Sequence, residues 1–456
     1  MPMCLNLEFA KRFVGEKLLE QILNYLEGDP QANIPRFLQV LELLTRDPNY
    51  KEQIRKLKGV YENDPVVHEY LNKMFSEVDR GMRHKMVCNV VVNSLLVGAV
   101  RRKQVEEKEG VHVPFTILID PTSACNLKCV GCWAGEYATH DQLEPELFDR
   151  IIREAKEIGV YTFVLSGGEP LLYPHLFELA EKHNDVAFMM YTNGTRITDE
   201  VADRLQDLGN ISPAISIEGL EELTDARRGK GVFAKICAAM DRLRERGVLF
   251  GASVTVTKSN IAEVASEAFV DFLITKGVKY LWSFHYIPIG RDPNVNLMIT
   301  PEQRAWLYER FRYLRTHKPI QIIDFWNDGE LTCGCIAGGR SYFHINARGD
   351  VEPCAFVHFA VDNIREKSLK EVLGSPLFTA YQRRQPFSEN YLRPCPVIDV
   401  PEALRDIVKE TGAHPTHPGA ETVLAGEIGS FLARRSYEWK HVSDEIWARR
   451  RAASQA

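Results

Sequence analysis

The stretch Ala124–Gly135, ACNLKCVGCWAG, places three cysteines within eight residues: Cys125, Cys129 and Cys132. Their spacing is C-x3-C-x2-C, and an apolar run, FTILID over Phe115–Asp120, lies just before them. Structural cysteines rarely cluster so closely, whereas thiolates sharing a metal centre do. Structural zinc takes four ligands, usually in C-x2-C pairs, and no fourth ligand stands nearby. Iron–sulfur clusters accept thiolates at such short spacings. Three ligands on a four-iron cluster leave one iron open, and an open position separates a catalytic metal site from a structural one. Zinc, or a plain electron-transfer cluster, is the alternative.

Outward from this stretch, short apolar runs alternate with helical patterns. FTILID is followed by ELFDRIIREAKEIG (146–159), with Phe148, Ile151, Ile152, Ala155 and Ile158 on one helical face. YTFVLS (161–166), VAFMMYT (186–192), SPAISIE (212–218), GASVTVT (251–257) and YLWSFHYIPI (280–289) read as further strands, each followed by a helical segment. Six strand–helix units imply a parallel sheet, either an open doubly wound sheet or a curved partial barrel. In barrels the chemistry sits on loops after the strand C-terminal ends. Here the cysteines follow the first strand, SGGEP the second, TNGT the third and EG the fourth. Four such loops on one end point to a single active site. The fold expected is α/β, a partial (β/α)6 TIM-like barrel with a helical N-terminal extension and a small C-terminal iron–sulfur domain.

The flanks differ from this core. Residues 1–110 read as a helical extension, with FAKRFVGEKLLEQILNYLE (9–27) and IPRFLQVLELLTR (34–46) carrying apolar residues at helical spacing. Residues 111–320 form the barrel, 321–400 the auxiliary region and 401–456 a polar helical tail. The chain has 456 residues, 45% hydrophobic and 26% charged, which suits a multi-domain globular protein. A net charge of -6 leaves no nucleic-acid footprint. No signal peptide is read at the N-terminus, and no window reaches the roughly 18 apolar residues of a spanning helix. MVCNVVVNSLLVGAV (86–100), ending in RRK, is a buried helix or, alternatively, a membrane-surface helix. Ten cysteines without an export signal favour metal over disulfides. The reading is cytoplasmic, with membrane association as the alternative.

CNLKCVGC after a first strand and SGGEP after a second resemble the radical S-adenosylmethionine (SAM) enzymes, over Phe115 to about Gly290. The resemblance makes Cys125, Cys129 and Cys132 the catalytic ligands of a [4Fe–4S] cluster whose open iron chelates SAM. It implies that an electron cleaves a carbon–sulfur bond to give methionine and a 5′-deoxyadenosyl radical, which abstracts hydrogen from substrate. Gly131 stands where many members have an aromatic residue, and Trp133 follows. By the same resemblance Gly167, Gly168, Glu169 and Pro170 contact the cofactor's ammonium. A turn in which Glu169 caps the following helix is the bland reading of that loop. Asn193 is a candidate cofactor contact or a turn residue. Ser216 and Glu218, two apart on a strand, are expected to face one side and meet ribose hydroxyls; a strand-end turn is the alternative. Arg227 or Arg228 can fork a carboxylate; the cofactor-binding assignment goes to Arg228, against a solvated basic loop.

Downstream, CGCIAGGRSYFHINARGDVEPCAF (333–356) reads as a hairpin turning at Gly349. It resembles the auxiliary-cluster domains named SPASM or twitch. An auxiliary [4Fe–4S] cluster is expected on Cys335, Cys354 and Cys395. Its fourth ligand is Cys333, a non-cysteine group or substrate; a zinc site from the same four cysteines is the alternative. Cys237 reads as core. Asp328, Glu330, His285, Tyr286 and Arg291 are candidates for a substrate pocket. The expected partners are a one-electron donor such as ferredoxin or flavodoxin, and a substrate. The helical extension and its apolar, basic-ended segment hint at a lipid or other hydrophobic substrate. The whole chain is similar to a clostridial-type radical enzyme group with an RPCP tail, some of whose relatives couple or modify lipid chains. Peptide modification is the alternative substrate reading, and a non-catalytic electron carrier or zinc scaffold the alternative function.

Overall fold

The computed structural model describes residues 17, 21–22, 24–44, 48–135 and 141–455. Much of the helix expected over 9–27, and Cys4, lie outside the described residues.

Seven parallel strands form the barrel wall: β1 (Thr116–Ile119), β2 (Thr162–Leu165), β3 (Ala187–Thr192), β4 (Ile211–Ser216), β5 (Gly251–Val256), β6 (Tyr280–His285) and β7 (Gln321–Asp324). Helices follow the strands, as the alternating pattern requires. Helix Pro145–Glu157 buries Phe148, Ile151, Ile152 and Ala155, the face read from its spacing. β7 is a seventh strand beyond the six expected. It pairs parallel with β6, Leu281 opposite Ile322, so residues 321–324 extend the barrel wall rather than begin the auxiliary region. Four residues are too few for periodicity to flag the strand; long-range pairing creates it.

The C-terminal hairpin joins the same sheet. β8 (Tyr342–Ile345) pairs parallel with β1, β9 (Asp350–Glu352) antiparallel with β8, and β11 (Asp362–Asn363) antiparallel with β9. The sheet order is β11-β9-β8-β1-β2-β3-β4-β5-β6-β7. β10 (Phe359–Ala360) and β12 (His414–Pro415) pair separately. The auxiliary cysteines are thereby welded to the barrel's first strand.

The N-terminal extension packs across the opposite end of the barrel. A continuous helical rod runs from Arg80 to Glu109, with π-winding over Cys88–Gly98. Asn89 Nδ2 donates to the carbonyls of Asn184 and Val186 (both 3.0 Å), just before β3. Arg102 Nη1 donates to Gly159 O (2.7 Å), before β2. Gly98 and Gly159 meet backbone to backbone: a Cβ on either would lie 2.5 Å from the other's carbonyl oxygen. The segment expected as a buried or membrane-surface helix is thus seated against the strand N-termini, with Leu95, Leu96 and Val100 facing outward. No helix among the described residues is long and apolar enough to cross a membrane.

Candidate active site

The cysteine loop is held by the SGGEP loop. Ser166 N donates to Ile119 O (2.9 Å), Gly168 N to Thr122 O (2.9 Å) and Glu169 N to Ala124 O (2.8 Å). A Cβ at Gly168 would fall 2.1 Å from Ala124 O, so only glycine lets the two loops close this far. Glu169 is fully buried. It accepts from Thr192 Oγ1 (2.7 Å), Asn193 N (2.7 Å) and Leu171 N (3.2 Å). Burial pushes its carboxyl pKa up, against those three bonds. Both its oxygens are occupied inside the protein, so its visible work is to cap the turn Pro170–Leu172 and fix the loop after β3. That loop carries Asn193, whose Nδ2 donates to Asn126 Oδ1 (2.9 Å) and approaches Cys125 Sγ (3.9 Å).

Cys125, Cys129 and Cys132 border one cavity of about 470 Å³ at the C-terminal ends of the strands. Gly167, Gly168, Asn193, Ser216 and Arg228 border the same cavity. Glu169, Pro170 and Glu218 stand behind its wall. Glu218 was expected to share a strand face with Ser216, but β4 ends at Ser216 and Glu218 turns inward, with 1% of its surface exposed. There its Oε1 accepts from Arg227 Nη1 (2.5 Å) and Arg228 Nη2 (2.6 Å). One carboxylate therefore aims two guanidinium groups at the cysteine loop. Arg227 also donates to Val130 O (3.2 Å), and Arg228 Nη1 lies 4.0 Å from Cys129 Sγ. Burial pushes the Cys125 thiol up to about 11 and raises Cys132 too, while Arg227 and Arg228 draw Cys132 back down.

Aromatic rings fill the places left by small residues. Gly131 has φ 62°, and a Cβ there would strike Tyr286 Cε2 at 2.6 Å, so the Tyr286 ring covers the glycine that replaces the usual aromatic. Trp133 packs on Phe356 (5.7 Å between ring centres) and edge-on to His344 (6.0 Å). His344 lies between Asp120 (2.9 Å) and Glu352 (2.7 Å), all three buried. Burial opposes its charge, but the two carboxylates prevail and push its pKa up to about 10, so at neutral pH a cation pins β1, β8 and β9 together. Asp120 lies far from His344 and Glu352 in the chain, so the sequence alone does not bring the three together.

Cys335, Cys354 and Cys395 form a second thiol group. Tyr342 Oη lies 2.8 Å from Cys354 Sγ, Tyr381 and Gln385 bond Cys335, and Trp326 bonds Cys395. Burial pushes all three thiols up, Cys395 to about 12. Cys333 differs: it is exposed and closes the short helix Gly329–Thr332 in a left-handed conformation (φ 54°). Among the described residues no three His, Cys, Asp or Glu side chains converge on a point tight enough for one metal ion. No disulfide joins the described cysteines, and Cys237 is half-buried on helix Val232–Glu245.

Of the pocket candidates, Tyr286 and His285 border the cavity. The His285 ring stacks on Trp326 (5.5 Å) and faces Asp324 (3.4 Å). Asp328 pairs with Arg315 (2.6 Å) and Glu330 with Arg450 (3.0 Å), away from the cavity. Arg291 binds the loop by its backbone, N to Cys132 O at 2.9 Å. Trp282, Phe284, Phe325 and Tyr342, not among the sequence candidates, also line the cavity. Alternation in YLWSFH was the available signal for the first two.

Residues 119–266 match the radical SAM superfamily model, and 333–396 match the SPASM iron–sulfur cluster-binding domain. The mycofactocin maturase MftC of Mycobacterium ulcerans is 30% identical over 57% of this chain and 73% of its own. This chain belongs to the radical SAM superfamily. It is an enzyme of that superfamily, with a [4Fe–4S] cluster and SAM as cofactors and auxiliary iron–sulfur in the SPASM region. The AdoMet-dependent heme synthase of Methanosarcina barkeri is 28% identical over 57% of this chain and 82% of its own. The crystal structure of Streptococcus suis SuiB bound to S-adenosylmethionine shares the fold: TM-score 0.55 and 20% identity over 66% of this chain and 76% of that one.

Proposed function

We propose that this radical SAM enzyme abstracts hydrogen from an unactivated C–H bond on a hydrocarbon chain. The observation that carries this is the cavity beside the cysteines. Its walls are Leu118, Val164, Met189, Trp282, Phe284 and other apolar side chains, and its charged side chains, Arg227 and Arg228, sit beside the cysteines. Peptide N–H and C=O groups set against those apolar side chains, away from the Ser, Thr and Asn side chains of the wall, cost about 1–3 kcal/mol each. A hydrocarbon chain loses nothing and gains about 0.8 kcal/mol per methylene.

In this reading Cys125, Cys129 and Cys132 hold the cluster that binds SAM. Bound there, cluster and SAM together supply the 5′-deoxyadenosyl radical. The protein's own residues orient and exclude. Gly167 and Gly168 bring backbone close to the cofactor, Asn193 and Ser216 offer hydrogen-bonding groups, and Arg228, aimed by Glu218, offers a fork for a carboxylate. Tyr286 covers Gly131. Cys335, Cys354 and Cys395 would hold the auxiliary cluster, which would supply one-electron redox chemistry, and a one-electron donor such as ferredoxin or flavodoxin would be the partner.

A second reading, peptide modification, is favoured by the peptide-maturase relatives; an apolar side chain would then enter the cavity. Deuterium transfer separates the two. The reconstituted enzyme, dithionite and SAM are incubated without oxygen with a perdeuterated fatty acid or phospholipid, or with peptides deuterated in Leu and Val. Deuterium in 5′-deoxyadenosine from the acyl chain supports the proposal. Deuterium from peptide alone overturns it.

A further inference from the structure

The cavity runs well past the cysteines. At the C-terminal end of the strands it is bordered by Ser166, Thr192 and Ser216, and at the N-terminal end by Thr116, Thr162 and Ala187. From Thr162 to Ser166 is four residues of strand, about 13 Å. The axis of a barrel is ordinarily filled with layers of side chains; here one cavity is bordered by residues from both ends of β2 and β3. The lower half offers no free polar group from its threonines. Thr116 Oγ1 donates to Thr162 O (2.9 Å) and Thr162 Oγ1 to Phe115 O (2.7 Å). What remains is apolar, chiefly Phe115, Leu118, Val164 and Met189.

The bottom is closed by the N-terminal extension. Met86 and Val90 border the cavity and lie four residues apart, on one face of the rod that spans the strand N-termini. The rod is held rigidly beneath β2 and β3 by the Asn89 and Arg102 bonds and the Gly98–Gly159 contact. Asn93 Nδ2 adds a bond to Asp185 O (3.0 Å). Met82, one turn earlier, accepts from Leu249 N at its sulfur (3.0 Å), just before β5. A floor fixed at this many points sets a definite depth.

We propose that Met86 and Val90 are the stop at the end of an apolar channel through the barrel, and that they determine the longest unbranched hydrocarbon chain the enzyme accepts. The inference rests on the hydrocarbon reading above. A peptide side chain would end near the cysteines and never reach this floor; only a chain of many methylenes does.

The test is direct binding of saturated fatty acids of eight to eighteen carbons, below their micellar concentrations, to the full-length reconstituted protein. Wild type is compared with Met86→Trp, Val90→Ala and the exposed-face control Leu95→Ala. In wild type the affinity rises about fourfold per methylene, then stops rising at a cutoff length. Met86→Trp moves the cutoff to shorter chains and leaves the shortest chain's affinity unchanged. Val90→Ala moves it to longer chains, which keeps the test decisive if the tryptophan variant misfolds. Leu95→Ala leaves it in place. Wild-type binding with a cutoff that neither Met86→Trp nor Val90→Ala moves overturns the floor assignment and leaves the hydrocarbon reading standing. Absence of binding by any chain overturns the hydrocarbon reading itself.

Discussion

The two cysteine groups of this protein are built in opposite ways. Cys125, Cys129 and Cys132 come from one short loop, so local spacing creates the site, and long-range contacts only clamp it. Cys335, Cys354 and Cys395 span sixty residues of sequence numbering and meet only because β8 pairs with β1 and the RPCP loop folds back. Their surroundings differ as well. The first group faces a cavity and two arginines held by Glu218. The second faces phenols, Tyr342 and Tyr381, and an indole, Trp326. Fixed cations favour thiolates and any anionic ligand nearby; neutral donors only adjust a group already in place. The contrast is between thiols beside fixed cations and a cavity and thiols set among phenols and an indole.

The largest effect should come from the first group. The triple substitution Cys125/Cys129/Cys132→Ala removes SAM cleavage entirely, and iron falls from about eight to about four per chain, read by iron analysis and 5′-deoxyadenosine formation. Retention of cleavage would erase the distinction between the groups. Next, Cys354→Ala lowers iron by the same amount yet keeps 5′-deoxyadenosine formation, now uncoupled from product. Loss of both together would mean that one site cannot form without the other.

A smaller, indirect effect concerns how the second group is held. Arg304 and Asp399 form a buried pair (2.5 Å), and Asp399 Oδ2 accepts from Cys395 N (3.1 Å). The guanidinium also lies 4.3 Å over the Trp439 ring of the C-terminal helix. Arg304→Ala strands a buried carboxylate and costs about 3–5 kcal/mol of stability, with loss of auxiliary iron only; thermal unfolding and iron content check this. The smallest effect is on potential. Tyr342→Phe removes one hydrogen bond at Cys354 and leaves iron unchanged. A bond of about 0.5–1.5 kcal/mol corresponds to roughly 20–65 mV for one electron. The shift is downward, because the lost donor had favoured the more negative, reduced state. Redox titration followed by EPR measures it.

What the sequence disclosed follows the same division. The C-x3-C-x2-C loop, SGGEP and the hairpin at Gly349 are local patterns, and each was legible. So was the amphipathic face of helix Pro145–Glu157. Non-local features were not. β7 needed β6 beside it, and β8 needed β1 to become part of the barrel sheet. Glu218 reads as a strand residue until β4 is seen to end two positions earlier, which frees it to bind two arginines. Trp282 and Phe284 alternate as inward residues should, yet alternation cannot tell a filled barrel axis from an open one. Met86 and Val90 read as ordinary helix interior, because their role depends on where the rod is laid.

EPR of dithionite-reduced wild-type protein, with and without SAM, distinguishes two coexisting iron–sulfur sites of which one meets SAM. Two distinct [4Fe–4S] signals are expected, of which one shifts on adding SAM and is missing from the Cys125/Cys129/Cys132→Ala variant, while the other is unchanged in both. A single signal, or two signals that both ignore SAM, would contradict this.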